Sequence, residues 1–96
     1  MSVYVDDMRA GYGRMVMCHM LADTDVELHA MADKIGVARR WHQKARTPYS
    51  HYDIALSKRA MAVQFGAIEI TQRQSVEIIR AKRLAAAGSP LREGEQ

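Results

Sequence analysis

The chain has one cysteine, Cys18, which excludes an intrachain disulfide and points to a reducing, cytoplasmic setting. No apolar run approaches the roughly 20 residues that cross a bilayer, so no membrane span is expected. The start, Met1-Ser2-Val3-Tyr4-Val5-Asp6-Asp7, lacks the basic and apolar regions of a secretory signal. Standard zinc, P-loop and dinucleotide spacings are missing, as is a GxSxG elbow. Cys18 lies within an apolar run without a neighbouring base, so covalent catalysis has little support. There is no internal repeat. With 2 prolines and 6 glycines in 96 residues, the few breaks in regular structure stand out.

What is present suits one small domain with a single modest core. Nearly half the residues are apolar (48%) and 26% are charged, an ordinary globular balance. The formal charge is +3 and uneven: Lys34, Arg39, Arg40, Lys44, Arg46, Lys58 and Arg59 face only Asp53 between positions 34 and 59. That density favours an anionic partner, phosphate first, although a merely solvated basic face is equally compatible.

Hydrophobic patterning gives the organisation. Ser2 to Val5 reads as a short strand ended by Asp6 and Asp7, and Met8 to Gly13 as a loop. Arg14 to Leu21, almost wholly apolar around His19, suits a buried central strand, antiparallel to the first because the connection is short. Thr24 and Glu27 make a capping box opening a helix from Asp25 to about Ile35, with Leu28, Met31, Ala32 and Ile35 inward and Gly36 as its stop. Positions 37–50 hold Trp41, basic residues and Pro48 without a clean period, as a functional loop would.

Ala55 to Phe65 reads as a second helix, with Leu56, Ala60, Met61 and Phe65 as candidate core residues, closed by Gly66. Ala67 to Thr71 alternates like a strand. Thr71 and Gln74 then open a third helix from Gln72 to about Ala86, burying Val76, Ile79 and Leu84. Residues 88–96 read as a flexible polar tail behind a single domain over 1–87. The expected fold is α/β: a small mixed three-stranded sheet with three helices packed on it, in the order β-β-α-loop-α-β-α.

Candidate chemistry gathers in short segments. His51-Tyr52-Asp53 puts an imidazole, a phenol and a carboxylate side by side after a basic loop. Asp53 as a helix cap and Tyr52 as a core aromatic would account for two of them but leave His51 unexplained. His19, Asp23 and His29 would complete the pocket; the competing account makes them a core histidine, a cap and a surface residue. Asp6 ends the first strand and Arg73 begins the last helix, so parallel first and third strands would bring them to one edge. Trp41 with Arg39, Arg40, Lys44 and Arg46 would stack on a base and grip a backbone.

Several of these segments together carry a family resemblance. Val3-Tyr4-Val5-Asp6, Cys18-His19-Met20 followed by Ala22-Asp23, Glu27-Leu28-His29, His51-Tyr52-Asp53 and Gly66-Ala67 resemble a small bacterial and phage family, domain of unknown function 4031. The resemblance runs from about Val3 to Arg73. Members resemble standalone proteins of this size or the front of longer proteins with an HD-type phosphohydrolase domain. The resemblance therefore implies, by association, a link to nucleotide or phosphate metabolism, and a single site formed by His19, Asp23, His29, His51 and Asp53. Met8-Arg9-Ala10-Gly11-Tyr12-Gly13 departs from the family's Trp-Pro-rich loop, so no role attached to that loop carries over.

The leading expectation is an enzyme of phosphohydrolase type acting on a nucleotide or other phosphate compound, through a divalent metal or a His/Asp acid–base pair. His51, Asp53, His19 and Asp23 are its candidate catalytic residues. Asp6, His29, Tyr52, Arg59 and Arg73 are candidate ligand-binding residues, and Asp6, His19, His51 and Asp53 candidate metal ligands. The alternatives are a non-catalytic nucleotide- or partner-binding module, such as a phage or bacterial accessory protein, and a basic nucleic-acid binder working through Trp41.

Overall fold

The computed structural model describes residues 2–94, with side chains described to position 87. Its elements are β1 (Val3–Val5), β2 (Ala10–Tyr12), β3 (Met15–Ala22), α1 (Asp25–Ile35), a 3-10 turn (Arg39–Trp41), β4 (Tyr52–Ala55), α2 (Leu56–Gln64), β5 (Ile68–Glu69) and α3 (Gln72–Gly94). The fold is mixed α/β as expected, but the sheet has five strands rather than three.

β3 is the central strand. On one edge it pairs antiparallel with β1 (Val5 opposite Met20) and, further along, with β2 (Gly11 opposite Val16). The residues between β1 and β2, Asp6 to Arg9, therefore form an interruption in one long edge. Its other edge carries β4, with His19 opposite Asp53 and Met20 opposite Tyr52. β5 lies parallel to β1, which meets the condition for bringing the ends of β1 and β5 together.

Two strands differ from the sequence expectation for identifiable reasons. β2 is fully exposed and contains Gly11, so it has no buried alternation to announce it, and it exists by pairing with β3. β4 runs straight into α2: Ala55 is both its last residue and the helix N-cap, with no capping side chain. Asp53, a candidate cap from sequence, is instead a mid-strand residue.

Alternation along the strands divides the sheet into two faces. Val5, Cys18, Met20, Ala22, Tyr52 and Ile54 point to a core completed by Leu28, Met31, Ala32 and Ile35 of α1 and Ala62 of α2. The α1 stripe is the predicted one. On α2 the buried position is Ala62, flanked by half-buried Met61 and Val63, whereas Phe65 is half exposed because it lies beyond the last turn.

The local signals act as chemistry requires. Thr24 Oγ1 accepts from the Glu27 N–H at 3.2 Å and donates to Glu27 Oε1 at 2.8 Å. Gly36 ends α1 at φ 78°, a left-handed conformation that costs a residue without Cβ little. Thr71 and Gln74 form the second box, and Asp7 Oδ1 accepts from the Gln72 N–H at 2.8 Å.

α3 departs from the predicted packing. Its described inward positions are Ser75 and, partly, Ile78, Ile79 and Lys82, while Val76 and Leu84 are exposed. The spacing predicts an end near Ala86, and the helix instead continues to Gly94. The predicted tail thus falls largely on helix, and only positions 95 and 96 of it lie outside the described residues.

Candidate metal centre

The face of the sheet opposite the core carries the chemistry. His19 leaves the middle of β3 and Asp53 the facing position of β4, so their backbones are paired cross-strand neighbours. His51, two residues before Asp53, points to the same face. Its backbone pairs with Gln43 in an isolated bridge that ties the basic loop to β4. The two imidazoles meet edge to face, ring centres 5.2 Å apart.

Each histidine is held by its Nδ1. His51 Nδ1 lies 2.6 Å from the Tyr49 carbonyl oxygen, an acceptor only, so this nitrogen carries the proton. His19 Nδ1 lies 2.8 Å from Asp6 Oδ2. Asp6 is fully buried, and its Oδ1 accepts from the backbone N–H of His19 at 2.9 Å and of Met8 at 3.2 Å. With both Nδ1 atoms engaged, the Nε2 atoms are left with free lone pairs.

Both Nε2 atoms face one carboxylate oxygen. Asp53 Oδ1 is 3.5 Å from His51 Nε2 and 3.8 Å from His19 Nε2. Oδ1 is buried yet has no hydrogen-bond partner among the described residues, although Oδ2 accepts from Gln43 Nε2 at 3.0 Å. An orphaned buried carboxylate oxygen is costly in a native structure unless something is to occupy it. The three ligand atoms lie within 4.8 Å of one another. Donors about 2.1 Å from a tetrahedral ion lie roughly 3.4 Å apart, so the two short separations are near those of a coordination shell. Two imidazoles and one carboxylate, with further positions open, is also a donor set that suits zinc, manganese or ferrous iron.

The surrounding shell matches that use. A carboxylate behind one histidine and a carbonyl behind the other fix ring orientation and tautomer, as outer partners of metal-bound histidines do. Arg59 donates from Nε to the Asp6 carbonyl oxygen at 2.9 Å and from Nη1 to Glu69 Oε1 at 3.0 Å, bracing the end of β1 against α2 and β5. Lys44 and Arg46 adopt φ of 59° and 62°, left-handed conformations that are uncommon for such side chains and often found at functional loops.

Other candidates from sequence lie elsewhere. Asp6 is one step behind the ligand atoms, through His19. Asp23 is engaged at the other end of β3, accepting from the Ser2 N–H at 2.7 Å and the Tyr4 hydroxyl at 2.9 Å. His29 and Tyr52 sit on the core side, joined at 2.7 Å between Nδ1 and the phenol oxygen. Arg73 is exposed at the start of α3. Burial pushes the Cys18 thiol up to about 11, which removes it as a nucleophile. Gln43 and the Tyr49 carbonyl were not predicted. Only the loop's backbone pairing brings Gln43 and Tyr49 to the site, and that pairing leaves no pattern in residue types.

Two cavities meet at this cluster. One of about 590 Å³ is lined by His19, His51, Lys44, Ser50, Val76 and Ile79 among others. The other, about 810 Å³, includes Asp53, Tyr12, Met15, Arg40, Trp41 and Lys58 in its lining.

A family model described as protein of unknown function (DUF4031) matches residues 3–82. No curated protein and no solved structure matches.

Proposed function

The chain belongs to the DUF4031 family, whose description supplies no reaction, and we propose from the chemistry of its own residues that it is a divalent-metal-dependent hydrolase of phosphate esters. The observation that carries this reading is the unpartnered Asp53 Oδ1 facing two imidazole Nε2 atoms whose Nδ1 atoms are already committed. Three protein ligands with room for more is the pattern of catalytic metal sites, whereas structural sites close all four positions.

Each residue then has a task. His19, His51 and Asp53 hold the ion, Asp6 and the Tyr49 carbonyl orient the imidazoles, and Gln43 fixes the carboxylate through its other oxygen. Lys44, in the same cavity as the two histidines, supplies a cation for a phosphate oxygen. A divalent ion in such a position polarises a phosphoryl oxygen and provides a water nucleophile at neutral pH.

The reading is tested by calorimetric titration with Mn²⁺ and Zn²⁺, followed by hydrolysis of bis(p-nitrophenyl) phosphate. Wild type should bind one ion, and metal-loaded protein should release nitrophenol. Asp53→Ala and His51→Ala should lose both properties while melting within a few degrees of wild type. Equal metal affinity in wild type and Asp53→Ala would overturn the site, and binding without turnover would leave a metal-binding module in place of an enzyme.

A further inference from the structure

We infer, building on the metal-site reading above, that the substrate is a single-stranded nucleic acid cut at an internal phosphodiester, rather than a free nucleotide. The ligand cluster is open on two sides: His19 and His51 line one cavity and Asp53 the other. Each cavity falls within the 300–1,000 Å³ usual for a small-ligand site. A mononucleotide would fill one and leave the other without purpose. A chain whose scissile phosphate lies at the cluster would occupy both.

The linings agree with that occupant. Exposed aromatic rings flank the cluster on each side: Tyr49, 44% exposed, in the first cavity, and Tyr12 and Trp41, 70% and 56% exposed, in the second. Exposed rings beside cations are what unpaired bases stack on, and paired bases would not reach them. Lys44 lines the first cavity and Arg40 and Lys58 the second. The Arg40 guanidinium lies 5.3 Å from the Trp41 ring and that of Arg83 5.9 Å from the Tyr49 ring, so each side pairs a ring with a cation. Among the described residues, Asp53 is the only carboxylate lining either cavity, and it is a ligand. Gln43 bonds Asp53 and its backbone pairs with His51, which anchors the Trp41 loop to the cluster itself.

The reaction is hydrolysis. A water at the ion gives one proton to solvent, and its oxygen forms a new bond to phosphorus. The bond from phosphorus to one sugar oxygen breaks, and that oxygen leaves with a proton from solvent. The products are a terminal phosphate on one fragment and a hydroxyl on the other.

The test uses the full chain with Mn²⁺ and four fluorescein-labelled substrates: oligo-dT, oligo-U, a hairpin duplex and a labelled mononucleotide. Single strands should be cut internally, the duplex and mononucleotide slowly or not at all, and the dT and U arms show whether the sugar matters. Affinity for the uncut strand, measured with Ca²⁺ in place of Mn²⁺, should fall steeply with salt. Trp41→Ala and Tyr12→Ala should each weaken it about tenfold, with Mn²⁺ affinity unchanged. Cutting of the mononucleotide or duplex as fast as the single strand would overturn the inference. So would strand affinity that ignores both substitutions. If Mn²⁺ binds and Asp53→Ala abolishes that binding, but no strand is bound or cut, this inference alone fails. If Mn²⁺ does not bind, the metal reading fails first.

Discussion

The molecule holds two histidine pairs on opposite faces of one sheet, and they have different fates. On the outer face His19 and His51 keep their Nε2 atoms free and point them at an oxygen without a partner. On the inner face His29 Nδ1 is joined to the Tyr52 hydroxyl at 2.7 Å, and His42 Nε2 to Ser50 Oγ at 2.6 Å. Ser50 in turn donates to Asp25 Oδ1 at 2.6 Å, and the His29 and His42 rings meet edge to face. Both clusters contain two imidazoles and a carboxylate. The inner one links α1 to β4 and its loop through Tyr52 and Ser50, whereas the outer one aims both Nε2 atoms at a single carboxylate oxygen. What the rings converge on separates the two: the outer Nε2 atoms face a carboxylate oxygen with no partner among the described residues, while the inner carboxylate, Asp25, already accepts from Ser50.

The largest expected contrast comes from two adjacent residues. Tyr52→Ala removes the largest fully buried side chain and should cost about 3–5 kcal/mol of stability. His51→Ala should cost under about 1 kcal/mol and abolish metal binding. Urea unfolding with and without Mn²⁺ measures both, and similar stability losses would erase the distinction between the faces.

A smaller effect should separate the two supporting carboxylates. Asp6→Asn, acting through His19, should weaken metal affinity about 10–100-fold. Asp25→Asn, its counterpart on the inner face, should leave that affinity unchanged. Calorimetry on both variants decides, and equal losses would mean that the clusters work as one unit.

The smallest effect is a pH slope on the inner face. Burial, then the neighbouring His29, holds the His42 imidazole below its ordinary 6.5, against the opposing pull of Asp25. The unfolded chain therefore takes up this proton first. His42 contributes fully to stability above about pH 6.5, and that contribution is lost progressively as pH falls below it. Thermal melts from pH 7.5 to 5 should show His42→Gln losing less stability than wild type. Parallel slopes would place the titration elsewhere. Asp25 is lowered despite its burial, by the Ser50 hydroxyl and then the Arg46 backbone N–H. Its own loss of stability belongs to more acid conditions, below its ordinary 3.8.

Features encoded by neighbours in the chain were legible from sequence. Thr24 with Glu27, Gly36, Thr71 with Gln74 and the stripe of α1 are short-range patterns, and each forms as the residues indicate. Of the candidate cluster, His19, His51 and Asp53 come together and Asp6 stands behind them. Asp23, His29 and Tyr52 do not join, because the side of the sheet a residue faces depends on strand pairing. Asp53 looked like a cap because it precedes a helix, and its strand was hidden because Ala55 passes into α2 with no turn residue between them. Only the pairing of β4 with β3 reveals that Asp53 stands opposite His19.

β4 is four residues long and alternates two duties: Tyr52 and Ile54 fill the core, while Asp53, with His51 just before it, faces outward. A slip of one position against β3 would send the phenol to solvent and the carboxylate into the apolar interior. No slip by an odd number of residues can keep the inward side chains in the core, and a slip of two keeps the faces but moves Asp53 away from His19. On the proposed metal site, capture of an ion would require Asp53 opposite His19, so an ion would stabilise only the molecules zipped in the right register.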